Sequence, residues 1–269
     1  PNEFLIAQTI VARAWILANA EQKHKSLNFD VCNDDCCQRY QGLNNCTPKS
    51  IEAADNSYGK VLTFNNEICD TRYSKSCGGI TENFENVWED KSIPYLKSIK
   101  DCNDHGEDYC NPNYFKDISI SNYIGSVDED SEYYRWQFEV DTSYVVQHLK
   151  LKYNIEAEII IDLQILKAGP SGRVYQLNVI YRDKANKEKS IIINTEYNIR
   201  DLLSRSFLYS SAFTILKDKE KYTLYGKGWG HGVGLCQIGA LGMSFLNKNF
   251  LEILNHYFPK TEVKKIYNS

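Results

Sequence analysis

The chain has 269 residues, with 31 Lys and Arg against 35 Asp and Glu and a net charge of −4 at pH 7. That length can bury one large core or two smaller ones, and so balanced a charge offers no field to draw in nucleic acid, which is excluded as an expected partner. The longest apolar runs, such as AEIIIDLQIL at 157–166, fall well short of the roughly 20 residues of a bilayer-crossing helix, so no membrane span is expected.

The first residue is Pro, and a helical pattern starts at once, so the chain reads as a piece from which a signal peptide or leading segment has been removed. Over residues 3–22, Phe4, Ile6, Ala7, Ile10, Val11, Ala14, Trp15 and Leu17 keep the three-and-four spacing of an amphipathic helix, with Arg13 among them. Glu3, at its start, reads as a first-turn acid favoured by the helix dipole.

The stretch HKSLNFDVCNDDCCQRY follows. His24, Cys32, Cys36 and Cys37 supply four N and S groups within fourteen positions, the inventory of a tetrahedral zinc site. A disulfide involving Cys32, Cys37 or Cys46 is the competing reading, and adjacent cysteines such as Cys36 and Cys37 point differently on most backbones. The strand-like GKVLTFNNEICDTRYS leads into SKSCGGITENFENVW, a turn at Gly78-Gly79. Glu82, just past it, is the best-placed acid inside the chain, while Glu85 and Glu89 read as solvated charges. Residues 100–130, rich in Asp, Asn and Gly, read as a loop or subdomain connection. Cys102 and Cys110 there look like disulfide partners, with Cys77 or Cys69 as further ones.

YYRWQFEVDTSYVVQHLK then reads as a strand and a short helix. Two strands joined by AGPSGR make a hairpin, the strand EKSIIINTE and the helix NIRDLLS follow, and the strands AFTIL and KYTLYG lead to GKGWGHGVGLCQIGA at 226–240 and the helix IGALGMSFLNK. Strands in meander order with helices at both ends predict an α+β fold with an antiparallel strand-rich core and a substrate groove between subdomains. One domain over 1–269 is expected, with a loop-rich insertion near 100–135.

The glycine-rich loop lacks the Lys-Ser/Thr ending and the spacing of nucleotide loops. Bare glycines would let an extended, uncharged ligand such as a sugar chain approach the backbone. Trp229 would offer a flat apolar face, and His231 and Gln237 hydrogen bonds; the alternative is a tight corner holding a satisfied histidine. Nine cysteines suggest either disulfides in an exported protein or thiolate ligands, and with 19 Tyr the exported reading is preferred. A Cys-His peptidase is disfavoured, because spacing identifies no third group to orient His231 against Cys77 or Cys236.

Five segments in order, AQTIVARAWIL, CNDDCCQRYQG, SKSCGGITENFENVW, SGRV and GKGWGHGVGLCQIGALGMSFLNKNFLEILNHYFP, resemble the SpoIID/LytB family of peptidoglycan-acting proteins. The resemblance implies a lytic transglycosylase cutting glycan strands stripped of stem peptides. One carboxyl group protonates the glycosidic oxygen and then draws the proton from the C6 hydroxyl, leaving a 1,6-anhydro-N-acetylmuramic acid end. It implies that the family's catalytic glutamate falls upstream of Pro1, with Glu82 the acid inside this chain, and that Arg13 stands at the family's arginine. Gly78, Gly79, Thr81, Trp229, His231, Gly232 and Gln237 would bind substrate. Zinc is carried by some members in the segment of His24, Cys32, Cys36 and Cys37, and many relatives have Ser where this chain has Cys236. The runner-up is a non-catalytic glycan-binding enhancer of a cell-wall amidase. Either would act outside the cytoplasm, at the cell envelope. The helix at 3–22, the turn at 76–82 and the loop at 226–237 are expected to converge on one groove, with Arg13 held by a carboxylate or carbonyls and with Thr81 and Glu82 facing His231 or Gln237.

Overall fold

The computed structural model describes residues 1–34, 36–38, 40, 42–44, 46–115, 134–219 and 221–267. Helix α1 (Asn2–Ala18) buries Phe4, Ile6, Ala7, Ile10, Val11 and Ala14. It stops earlier than its apolar pattern suggests because Asn19 takes a left-handed conformation (φ 41°) and returns its N–H to the Trp15 carbonyl. Helix α2 (Pro48–Asn56) starts on a capping box between Thr47 and Ser50, with Pro at the first position. Strands β1 (Lys60–Phe64) and β2 (Glu67–Ile68) pair antiparallel across Asn65-Asn66, both at positive φ, as a two-residue hairpin turn requires. The short β3 (Tyr73–Ser74) follows.

The middle of the chain holds β4 (Arg135–Glu139), α3 (Thr142–Tyr153), β5 (Ala157–Ala168), β6 (Val174–Asp183), β7 (Glu188–Asn194), α4 (Glu196–Leu203), β8 (Phe213–Asp218) and β9 (Lys221–Lys227). They form two antiparallel three-stranded sheets, β5-β6-β7 and β4-β9-β8. Val174, Leu177, Val179 and Tyr181 of β6 turn inward and pack with Trp136, Leu149, Leu202 and Leu224 in one apolar cluster.

The chain then returns to its beginning. Strand β10 (Leu235–Cys236) pairs parallel with β3, α5 (Gln237–Phe245) and α6 (Phe250–Tyr257) pack on α1, and β11 (Glu262–Lys265) pairs with β1. The Glu3 carboxylate of α1 accepts the Phe250 N–H (2.7 Å), capping α6. The second apolar cluster, from Phe4 to Phe115 and from Val233 to Phe258, is therefore built from both ends of the chain.

The fold is α+β with helices at both ends. The single domain expected over 1–269 carries two apolar cores. Of the loop expected near 100–135, residues 116–133 lie outside the described residues. Among the described residues, no helix is long and apolar enough to cross a membrane.

Candidate functional site

The glycine-rich loop wraps a buried arginine. Gly228, Gly230, Gly232 and Gly234 have φ of 73°, 90°, 76° and 71°, values that side chains resist. A Cβ on Gly232 would stand 2.3 Å from the Arg173 guanidinium carbon, and one on Gly234 would stand 2.2 Å from the Arg72 carbonyl oxygen. Arg173, 1% exposed, donates from Nε to the Gly230 carbonyl (3.0 Å), from Nη1 to Cys77 (3.2 Å) and from Nη2 to Ser76 (3.3 Å). The glycines therefore make room for the protein's own chain, which corrects the expectation that they open the backbone to a ligand. Nothing local in SGRV, a hairpin turn and one of the segments of the family resemblance, signals this role for Arg173.

The loop and the Gly78-Gly79 turn do meet. Ser76 and Trp229 exchange backbone hydrogen bonds (2.8 and 3.1 Å), and the Glu82 N–H donates to the Gly232 carbonyl (2.8 Å). A Cβ on Gly78 would touch the Gly228 nitrogen at 3.0 Å, and one on Gly79 would meet the Asp108 carboxylate at 2.3 Å.

Glu82 itself has no exposed surface. One carboxylate oxygen accepts from the Asn83 N–H (2.8 Å) and Asn86 Nδ2 (2.7 Å), the other from the Ser171 hydroxyl and N–H. A carboxylate without exposed surface, bonded by Asn83 and Asn86 beside it and by Ser171 of the hairpin turn, ties the two cores together, a position that does not favour the proton-donor role expected of it. Thr81, also buried, accepts the Ile99 N–H (2.9 Å). Arg13 is held by carbonyls, donating to Ser57 (2.6 Å) and Lys60 (2.8 Å); it ties α1 to β1. Gln237 reaches Gln8 of α1 (3.4 Å). Trp229 leans on Tyr209, ring centroids 4.7 Å apart.

Beside His231 lies an open cleft of about 370 Å³ lined by Trp15, Lys23, Cys36, Cys37, Gln38, Arg72, Tyr73, Trp88 and His231. Arg72 lies over the Trp88 ring (4.4 Å) and pairs with Asp70 (2.7 Å) and Glu21. Sequence reading missed Arg72 and Trp88, since neither carries a local signal. His231 packs edge to face on Trp88 (4.8 Å), and its Nδ1 accepts the Val233 N–H (3.1 Å), so the ring is held as a neutral tautomer. Burial first, then the charges of Arg72, Arg173 and Arg200, push its pKa down from 6.5 to about 3.

The sign of that shift makes a prediction. The unfolded chain takes up a proton on His231 below pH 6.5 while the folded chain does not until about 3, so stability is fully present above 6.5 and falls as pH drops through this window. Thermal melts from pH 7 to 4 should show this loss, and His231→Gln should flatten the slope. An unchanged slope in the variant would remove His231 as its source.

The cysteine-rich segment folds into a cluster. The donor atoms of His24, Cys32, Cys36 and Cys37 lie within 4.8 Å of one another, with His24 Nε2 at 3.4 Å from Cys37 Sγ and 3.8 Å from Cys36 Sγ, and Cys32 Sγ at 3.1 Å from Cys36 Sγ. The expected divergence of the adjacent pair is overcome by the turn that returns the Cys37 N–H to Asp34 (3.0 Å), which brings both sulfurs to His24. The Cys32 sulfur beside Cys36 pushes the latter's thiol up to about 11. These residues could hold a metal ion. None of the nine cysteines is bonded to another, which corrects the expected disulfide of Cys102 and Cys110: Cys110 turns into the core while Cys102 is half-buried.

Residues 1–64, spanning α1, this cluster and β1, match the family model of the stage II sporulation protein, SpoIID. Stage II sporulation protein D of Bacillus amyloliquefaciens is 25% identical over 217 residues, covering 81% of this chain and 51% of that protein. Over that stretch the chain is similar to the SpoIID family. Residues 82–234, more than half of the chain, match the domain of unknown function DUF8618, and the chain belongs to that family; the match takes in the whole second core. The amidase enhancer of Bacillus subtilis is 28% identical over 283 residues, 96% of this chain and 37% of that protein. An uncharacterized protein of Brachyspira hyodysenteriae is 26% identical over 267 residues, 98% of the chain and 61% of that protein. The chain thus spans between 37% and 61% of the length of these relatives.

Proposed function

We propose that this chain binds peptidoglycan glycan strands in the cleft between Trp15, Tyr73, Trp88 and the cysteine-rich segment, outside the cytoplasm, and that the strand seated there undergoes lytic transglycosylation. The observation that carries this reading is the cleft itself. It is open, walled by three aromatic residues with a few polar groups, and bounded by the glycine-rich loop at His231, the composition that suits sugar rings. Within it, Arg72 is fixed by two carboxylates and His231 is kept neutral, so neither serves as the proton donor; both shape the wall.

Zinc is the metal proposed at His24, Cys32, Cys36 and Cys37. Four protein ligands leave no position for water, so its use is structural, bracing the wall to which Cys36, Cys37 and Gln38 belong. A second reading, a non-catalytic glycan binder that stimulates a cell-wall amidase, is favoured by one observation: no Asp or Glu is among the described residues lining the cleft. It also draws support from the likeness to the amidase enhancer.

Incubation with denuded glycan strands followed by mass spectrometry separates the readings. Anhydro-muramic ends would support the transglycosylase, whose proton donor would then lie outside the described lining of the cleft; reducing ends would indicate a hydrolase, and strands that bind but stay intact would favour the enhancer. If Trp88→Ala leaves strand binding unchanged, the cleft is not the binding site.

A further inference from the structure

We propose that Cys77, Asp101, Cys110 and Cys236 hold a second, wholly buried zinc ion, in a tetrahedral site of three sulfurs and one oxygen. The four residues are 0%, 0%, 1% and 0% exposed, and their donor atoms lie within 4.8 Å of one another. Cys77 Sγ stands 3.9 Å from Cys110 Sγ and 3.0 Å from Asp101 Oδ2. Zinc–sulfur bonds of about 2.3 Å at tetrahedral angles put two thiolates about 3.8 Å apart, so the Cys77 and Cys110 sulfurs already stand near the required spacing.

The surrounding groups are arranged as a metal's outer shell would be. Asp101 Oδ1 accepts from the Tyr257 hydroxyl (2.7 Å) and lies 3.1 Å from His256 Nε2, which leaves Oδ2 aimed at the sulfurs. Backbone N–H groups point at the thiols: Gly79 at Cys77 (3.2 Å), and Cys77 and Gly239 at Cys236 (3.2 Å each). Such donors stabilise thiolate over thiol. A Cβ on Gly239 would stand 2.4 Å from Asp101 Oδ2, so glycine is needed there for the carboxylate to approach.

Two plainer readings leave something unexplained. Buried cysteines often pack as small apolar groups, but then Asp101 Oδ2, without solvent, would face only the weak S–H donor of Cys77. A disulfide between any two of the three cysteines would leave the third thiol and the carboxylate against it. A zinc ion satisfies all four at once, displacing the thiol protons as it binds. The ion would fasten the Ser76–Gly79 turn, the 101–110 loop and the start of α5, so its role is structural and distinct from the His24 cluster at the cleft.

Native mass spectrometry of the chain dialysed against zinc tests this. Two equivalents are expected in the unmodified chain, and one in Cys32→Ser/Cys36→Ser, where the first cluster is disabled. Cobalt substituted into that variant should give thiolate-to-cobalt charge transfer and the visible bands of a tetrahedral ion, and adding Asp101→Asn should remove the retained metal. A folded double variant without metal overturns the proposal, as does a disulfide among Cys77, Cys110 and Cys236 in peptide maps. Where the variant does not fold, Asp101→Asn in the otherwise unmodified chain decides: a count one equivalent below the parent supports the site, and an unchanged count overturns it.

Discussion

Arg173→Ala is expected to lower the stability of the fold by about 3–5 kcal/mol, the upper end of what single substitutions do when buried polar groups lose their partner. Three carbonyls, of Gly230, Cys77 and Ser76, would lose their donor in a site without solvent, and each such group costs about 1–3 kcal/mol when left unmet. The glycine loop, shaped around the guanidinium, would also surround a void. Spread over a chain of this size, the loss corresponds to a melting temperature lower by on the order of 10 °C. Arg173→Lys should recover little, because a single ammonium cannot serve three carbonyls set around a planar fork. Melting followed by circular dichroism checks both variants, and an alanine variant that melts with the parent would show that the loop does not depend on the arginine.

Glu82→Ala should cost a similar amount, about 3–5 kcal/mol, since the Asn83 N–H, Asn86 amide and Ser171 hydroxyl and N–H lose their shared acceptor. Glu82→Gln keeps the shape but turns an NH₂ toward donors, and about 1–3 kcal/mol of loss is expected. In both, glycan binding and any cleavage per folded molecule should match the parent. The measurement is product formation normalised to the folded fraction at a temperature well below the melt. A drop of roughly 10²-fold or more in Glu82→Gln with the fold intact is the signature of a lost general acid and would return Glu82 to the catalytic role.

Much of the framework is legible along the chain. The apolar spacing from Phe4 to Ala14 marks the buried face of α1, and AGPSGR marks the turn between β5 and β6. The capping signal of α2, Thr47, Pro48 and Ser50, is likewise local. The cysteine-rich segment announced its donor set, and the structure gathers those four residues. Arg72, Trp88 and the cluster of Cys77, Asp101, Cys110 and Cys236 were not legible as sites, because their members come from separate segments that meet only when the two ends of the chain close on each other.

The sequence by itself determined those features whose cause is local: helix faces, hairpin turns, and the left-handed backbone that alternating glycines at 228, 230, 232 and 234 permit. A periodicity or a φ preference belongs to a few consecutive residues and survives in any context. Only the tertiary structure decided what the glycines make room for, which acid is sealed and which wall is open. Burial and hydrogen bonding are properties of the neighbours a residue acquires. Glu82 is buried against Ser171, and burial with the charges of arginines at 72, 173 and 200 pushes the His231 pKa down, all partners brought in from distant positions by the packing of the two cores.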